Sequence, residues 1–351
     1  MTTSVERTQS TAMGTVSFTA RERWVLLVAS AWLVIGLQLD AYAHATMPEL
    51  ETFWTPWHGV LYSGIAASGF TLLWIMRSRL PGIPTYRSLL ALPNALRIPL
   101  AGMAFLLVGG GVDTLWHNIF GIERDMEIFV SPSHEFIILG MALVAMGPTL
   151  MLATGPERRL GIGGSLLVGV STLFSVLPVH IYSLHASSIG FRHLGSGQDP
   201  VPVFSPDAQL IHGYVFSTIL LLLPFVIIGR RWPLPVGLPA ILVAVIAVLM
   251  HLMFDSQDAW WPALTVAAAA VAIEIVLRLV TPLIKTTANV HWILLGLIAP
   301  PAIWGAVLLV GKIQTGSTGF NIHMVTGLLT LTAMTGVATV LVARSVQHLP
   351  E

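Results

Sequence analysis

The sequence predicts an all-α polytopic membrane protein of about ten transmembrane helices, and three observations carry that reading. Of its 351 residues, 55% are hydrophobic and only 10% charged, whereas a water-soluble domain carries about 25% charged residues. The apolar residues fall in runs close to the roughly 20 that cross a bilayer as a helix. The basic residues then sort by side. All of the seventeen Lys and Arg except Arg124, Arg192 and Lys312 fall in the tail or in alternate connections, which the positive-inside rule reads as both termini cytoplasmic.

Each element follows from what bounds it. The first helix, about 24–44, follows Arg7, Arg21 and Arg23; the second, 57–76, opens behind Thr55-Pro56. Arg77, Arg79, Arg87 and Arg97 precede the third, 98–117, and Ser131-Pro132 opens the fourth, 134–153. The fifth, 160–180, follows Arg158 and Arg159; the sixth, 209–229, follows Phe204-Ser205-Pro206. Arg230 and Arg231 lead into the seventh, 235–254, and Trp260, Trp261 and Pro262 into the eighth, 260–281. The ninth, 291–311, carries Pro300-Pro301, which should kink or break it. Asn321 and His323 begin the tenth, 323–343, and Arg344 closes it. The result is five hairpins with their tips outside, forming one membrane domain over 21–351. Residues 1–20, polar and rich in Ser and Thr, read as a disordered cytoplasmic tail, and the first apolar run is too long and too late for a cleaved signal peptide.

Composition also removes whole classes of function. Equal numbers of acidic and basic residues give zero formal charge, so there is no basic domain for a nucleic-acid partner. With no cysteine, disulfides, thiolate zinc sites and thiol catalysis are excluded, and His, Asp, Glu and Met remain as metal ligands. The twelve histidines are lopsided: on this topology only His291 and His348 fall inside.

An internal repeat sharpens that asymmetry. Residues 39–64, LDAYAHATMPELETFWTPWHGVLYSG, and 112–140, VDTLWHNIFGIERDMEIFVSPSHEFIILG, share one pattern. It pairs Asp40 with Asp113, His44 with His117, Glu51 with Glu127, Phe53 with Phe129, Pro56 with Pro132, His58 with His134 and Gly64 with Gly140. Asp and His at i and i+4 share one helix face. Thr55 and Ser131 are N-cap candidates with Pro at the first helical position, so His58 and His134 emerge from the first turn of the returning helix. Each hairpin, at about 24–76 and 98–153, thus offers two imidazoles and a carboxylate across its mouth. That set suits Cu, Fe or Zn and leaves coordination positions open. Glu51 and Glu127 are then extra ligands, outer partners or proton relays. The alternative is that interfacial Asp-His pairs near Trp54, Trp57 and Trp116 only anchor hairpins in the aromatic belt.

The stretch from Asp113 to Gly140, with its Asp-x3-His and its Met126-Glu127-Ile128-Phe129-Val130-Ser131-Pro132-Ser133-His134 run, resembles the metal-binding segment of the C subunit of the copper membrane monooxygenases. Those enzymes oxidise methane or ammonia. The resemblance implies copper held by Asp113, His117 and His134 near the extracytoplasmic face, and, through the repeat, by Asp40, His44 and His58. It covers about thirty residues, twice, and departs from the family in longer His-to-His gaps and in the duplication itself. With it come a small apolar substrate, the bilayer, possible partner subunits or a homo-oligomer, and a bacterial inner-membrane location. Iron or zinc are the alternative metals. Transition-metal transport or handling, or a non-catalytic metal-binding subunit, are the alternative functions.

Weaker echoes follow. His180, His185 and His212 form a secondary candidate metal set. His251 and Asp255 are spaced as an interfacial pair, and the loop 192–200 reads as solvated. Glu274, midway in an apolar run, should pair, be protonated or face a cavity, with Arg278 at i+4 as its immediate partner. Gly109-Gly110-Gly111 lets a helix or ligand approach closely.

Overall fold

The computed structural model describes residues 17–47, 55–80, 82–121, 131–183, 206–254, 260–283 and 288–345. Only the backbone is described at 44–46, 206–210, 253–254 and 288–289. Eleven α-helices follow one another: α1 (Ala20–Thr46), α2 (Pro56–Arg77), the short α3 (Tyr86–Leu90), α4 (Asn94–Phe120), α5 (Pro132–Ala153) and α6 (Ile162–Val176), then α7 (Pro206–Arg231), α8 (Leu238–Phe254), α9 (Trp261–Val280), α10 (Ala288–Thr315) and α11 (Ile322–Ser345). No strand occurs among the described residues. Each of the ten apolar segments read from the sequence contains a helix. Eight are long and apolar enough to span a membrane, and Ile162–Val176 and Leu238–Leu252 are shorter apolar helices.

Two of the chain's starting signals work as expected. Thr19 caps α1 in a reciprocal capping box with Glu22, satisfying two otherwise orphaned N–H groups. The fold therefore begins before residue 21: Phe18 is buried, and the Arg79 guanidinium lies 4.3 Å above its ring while pairing with Glu22 at 2.7 Å. Thr55 caps α2 by accepting the His58 N–H at 3.1 Å.

The helices pack as consecutive antiparallel hairpins, so among the described residues the histidines other than His291 lie at the end opposite Arg77, Arg79, Arg230 and Arg231. At the arginine end, side chains tie connections to the bundle. Arg231 donates to the Ala153 and Gly155 carbonyls at the end of α5. Arg230 donates to the Ala343 carbonyl of α11. Unpaired carbonyls at a helix C-terminus are where a cation is stabilising.

Two cores result. The first joins α1, α2, α4 and α5 through Leu33, Leu72, Leu96, Leu106 and Met141. The second joins α7 to α11 through Phe225, Val243, Val266, Trp304 and Leu328. Hydrogen bonds from Ser171 and Ser175 of α6 to the Ala145 and Ala142 carbonyls seat α6 on α5. Large apolar side chains such as Phe70, Leu107, Leu309 and Met334 point outward, as lipid-facing positions do. Of the two expected outcomes for Pro300-Pro301, a break does not occur, because α10 continues through the pair. Pro300 has no N–H for the Gly296 carbonyl. That oxygen instead presses on the backbone of Gly336, where any Cβ would collide with it.

Candidate metal centre

The site begins with glycines. In the first hairpin a methyl at Gly36 would sit 2.8 Å from Leu61 Cα, and one at Gly64 would sit 2.5 Å from Leu33 Cα. In the second, a methyl at Gly109 would meet Ile137 N at 3.0 Å, and one at Gly140 would meet Leu106 N at 2.9 Å. Gly36 and Gly109 each lie four residues before the Asp, and Gly64 and Gly140 each six after the second His. The contacted residues also correspond, Leu61 and Ile137 each three past that His. Both hairpins therefore cross in the same register at contact distances only glycine permits. This register carries the Asp of one helix to the His opening the next.

Asp40 Oδ2 lies 3.3 Å from His58 Nε2. In the second copy Asp113 Oδ1 lies 3.4 Å from His117 Nε2 and 3.4 Å from His134 Nε2. One ligand atom from each of Asp113, His117 and His134 falls within 4.8 Å of the others. Asp113 is 4% exposed, and its Oδ1 has no hydrogen-bond partner among the described residues.

The far nitrogens of the two imidazoles are held. His117 Nδ1 faces the Gly121 carbonyl at 3.3 Å. A carbonyl only accepts, so Nδ1 carries the hydrogen and the neutral ring presents the Nε2 lone pair to Asp113. Gly121 ends α4 at φ +86°, a conformation that essentially demands glycine. His134 Nδ1 bonds Ser131 Oγ at 2.6 Å. Ser131 thus differs from its expected role, since it makes no side-chain cap bond to α5 and holds the imidazole instead. Where His134 likewise carries its hydrogen on Nδ1, with Ser131 Oγ accepting it, two lone pairs face one carboxylate oxygen, an arrangement that a cation between them relieves.

That donor set fits a metal. Tetrahedral bonds of about 2.0–2.1 Å place neighbouring ligand atoms about 3.3 Å apart, close to both Asp-His separations. A carboxylate with two imidazoles leaves positions open for a further ligand, and the oriented Nδ1 atoms match the outer-sphere bonds of metal-binding histidines.

The two copies are neighbours. Tyr62, one turn beyond His58, has its ring 6.1 Å from that imidazole and packs on Gly110 of α4. The charges of both Asp40 and Asp113 reach its phenol. Of the glycine triplet, Gly109 serves hairpin packing, Gly110 faces Tyr62, and Gly111 meets nothing.

The remaining expected residues either lie outside the described residues or stand elsewhere in the fold. His44 is on α1 but its side chain lies outside the described residues, as do Glu51, Glu127, His185, the 192–200 loop and Asp255. His180, in a short 3-10 turn (Val179–Tyr182), is 1% exposed, with neither nitrogen hydrogen-bonded among the described residues, whereas His212 is exposed. His251 is buried with its ring 4.1 Å from that of Trp260. Glu274 pairs with Arg278 at 2.7 Å and also accepts the Gly237 and Ala240 N–H groups, so its carboxylate serves the start of α8. Ser131, Gly121 and Tyr62 were missed as site residues. Gly36 was countable, because it repeats Gly109 at the same offset from Asp. No family model, curated protein or solved structure matches the chain.

Proposed function

We propose that this protein is a membrane-embedded, metal-dependent oxidoreductase of monooxygenase type, with copper as the leading metal and iron or zinc as alternatives. It acts on a small apolar substrate that reaches the histidine end through lipid. One observation carries the reading: the buried Asp113 oxygen, without a hydrogen bond, between two imidazole nitrogens whose opposite atoms are already held. The resemblance of this segment to the copper membrane monooxygenases supports the same metal chemistry.

A copper or iron ion bound there would supply electron transfer to dioxygen, with Lewis acidity common to all three metals. The chain's own contribution is positional. Asp113, His117 and His134 offer one negative charge and two neutral donors. Gly121 and Ser131 fix the ring orientations, so little reorganisation is needed on binding. In this reading Asp40 and His58, with His44, form a second set beside the first, and Glu51 and Glu127 carry protons between the outer surface and the site. The two shorter helices complete ten crossings, with both termini cytoplasmic and the histidine end extracytoplasmic.

The experiment is metal quantification by mass spectrometry on protein in lipid nanodiscs, beside His117→Ala/His134→Ala and His44→Ala/His58→Ala double variants. Stoichiometric copper or iron that the first variant loses supports the proposal and leads to oxygen-uptake assays with small apolar substrates. No stoichiometric metal in reloaded wild type sinks it.

A further inference from the structure

At the arginine end of the second core, α7, α8, α9 and α10 line a partly open cavity of about 540 Å³, within the size range of small-molecule sites. Its polarity is graded. Glu274, Arg278, Thr281 and His291 lie toward the helix ends, while Phe225, Ile303 and Trp304 line the deeper part. From His291 to Trp304 the wall of α10 spans about 20 Å at 1.5 Å per residue, more than half the thickness of a hydrocarbon core of about 30 Å. A rim of polar groups above a deep apolar slot follows the polarity of a single leaflet.

Most polar groups here are spent on one another. Both Glu274 oxygens accept backbone N–H groups. Arg278 Nε and one terminal nitrogen serve Glu274 and the Pro235 carbonyl. Trp304 Nε1 donates to Thr218, and Trp232 Nε1 to the Glu157 carbonyl. Thr281 donates its only hydrogen to the Leu277 carbonyl, so its contact with His291 Nδ1 at 3.1 Å has the imidazole as donor. Among the described residues a neutral His291 therefore keeps Nε2 as an acceptor, and Arg278, which lines the same cavity, keeps its other terminal nitrogen as a donor. Glu274 and Arg278 balance each other, and the Arg344 guanidinium lies 5.7 Å from the ring of Trp292, which also lines the cavity. A hydroxyl satisfies both remaining groups by donating to His291 and accepting from Arg278. A carboxylate has no hydrogen to give the neutral His291.

We infer that this cavity binds a neutral, hydroxyl-headed amphipath from the arginine-side leaflet, its head at His291 and Arg278 and its apolar body against Trp304. The site is independent of the metal reading. A long-chain alcohol brominated at its far end, titrated into nanodisc-embedded protein, tests it through tryptophan fluorescence. The matching brominated fatty acid and brominated phosphatidylcholine are the comparison probes. Expected is saturable quenching by the alcohol that weakens at least tenfold in His291→Phe. It should weaken similarly in Gly229→Ala, where a methyl would lie 2.1 Å from the Trp292 ring and drive it from its seat. Size-exclusion and thermal-unfolding profiles matching wild type show that each variant is folded. If Gly229→Ala misfolds, Ala270→Phe fills the same space. Equal or tighter quenching by the fatty acid overturns the assignment of the head group. Non-saturable quenching alike for alcohol and phospholipid, unchanged by the variants, overturns the site.

Discussion

Replacing Asp113 by Asn removes one negative charge while keeping shape, and the structure sets the expected size of the effect. Asp113 Oδ1 is equidistant, at 3.4 Å, from His117 Nε2 and His134 Nε2, so it completes both edges of the ligand set. An outer-sphere partner of a metal ligand is typically worth 10–100-fold in affinity, and loss of an anionic ligand should cost at least the upper figure. Binding stabilises a fold by RT ln(1 + [L]/Kd), about 2.7 kcal/mol at a metal concentration 100 times Kd. A 100-fold weaker site leaves about 0.4 kcal/mol at that concentration. In the metal-free protein the sign reverses or vanishes, because a buried carboxylate without a hydrogen bond on Oδ1 is costlier than a neutral amide. The assay is thermal unfolding in nanodiscs, with and without metal, for wild type and Asp113→Asn. The metal-dependent rise in unfolding temperature should largely disappear, with the metal-free curve unchanged or shifted upward. A full metal-dependent rise in the variant would refute the ligand role of Asp113.

Three further outcomes follow from the same geometry. Ser131→Ala should lower metal affinity by about 10–100-fold with little change in metal-free stability, since Ser131 makes no cap bond; Thr55→Ala, which removes the cap of α2, should instead cost about 1 kcal/mol, so isotherms and melts separate the two serine-threonine roles. Gly64→Ala and Gly140→Ala, where a methyl would come within 2.5 Å of Leu33 Cα and 2.7 Å of the Gly102 carbonyl oxygen, should spread their hairpins and abolish metal binding with every ligand intact. Gly59→Ala and Gly111→Ala, with open space at the same test, should bind metal like wild type. Gly121→Ala forces a Cβ into φ +86°, at a cost of about 1–3 kcal/mol, and should weaken metal binding by releasing His117 Nδ1, measurable by isothermal titration.

Much of this was legible along the chain because it is local. An apolar run of about 20 residues forms a helix in a bilayer since lipid offers the backbone no other hydrogen-bond partners. Glu274 with Arg278 and Asp113 with His117 are i,i+4 pairs, set by helix geometry before any packing. The match between residues 39–64 and 112–140 likewise marked the ligand types without reference to a partner helix. Ser131 shows the limit. As Ser before Pro it satisfies every local rule for an N-cap, yet its hydroxyl turns to His134, a choice made by where the imidazole is needed. Pro300 is similar, since the Gly296 carbonyl left without its N–H meets Gly336 on another helix at a distance only glycine permits.

Composition and periodicity by themselves determined the all-α membrane class, the hairpin order, the gathering of histidines at one end and the residue types of the site, because each depends on neighbours within a few turns. Tertiary structure alone decided that Asp113 faces His134 across the hairpin, that Tyr62 lies between the two motif copies, and that Glu274 caps α8 beside a partly open cavity. Those facts rest on how closely two helices approach, and that distance is fixed by glycines such as Gly36, Gly64, Gly109 and Gly140, whose effect appears only when a second backbone occupies the space a side chain would have filled.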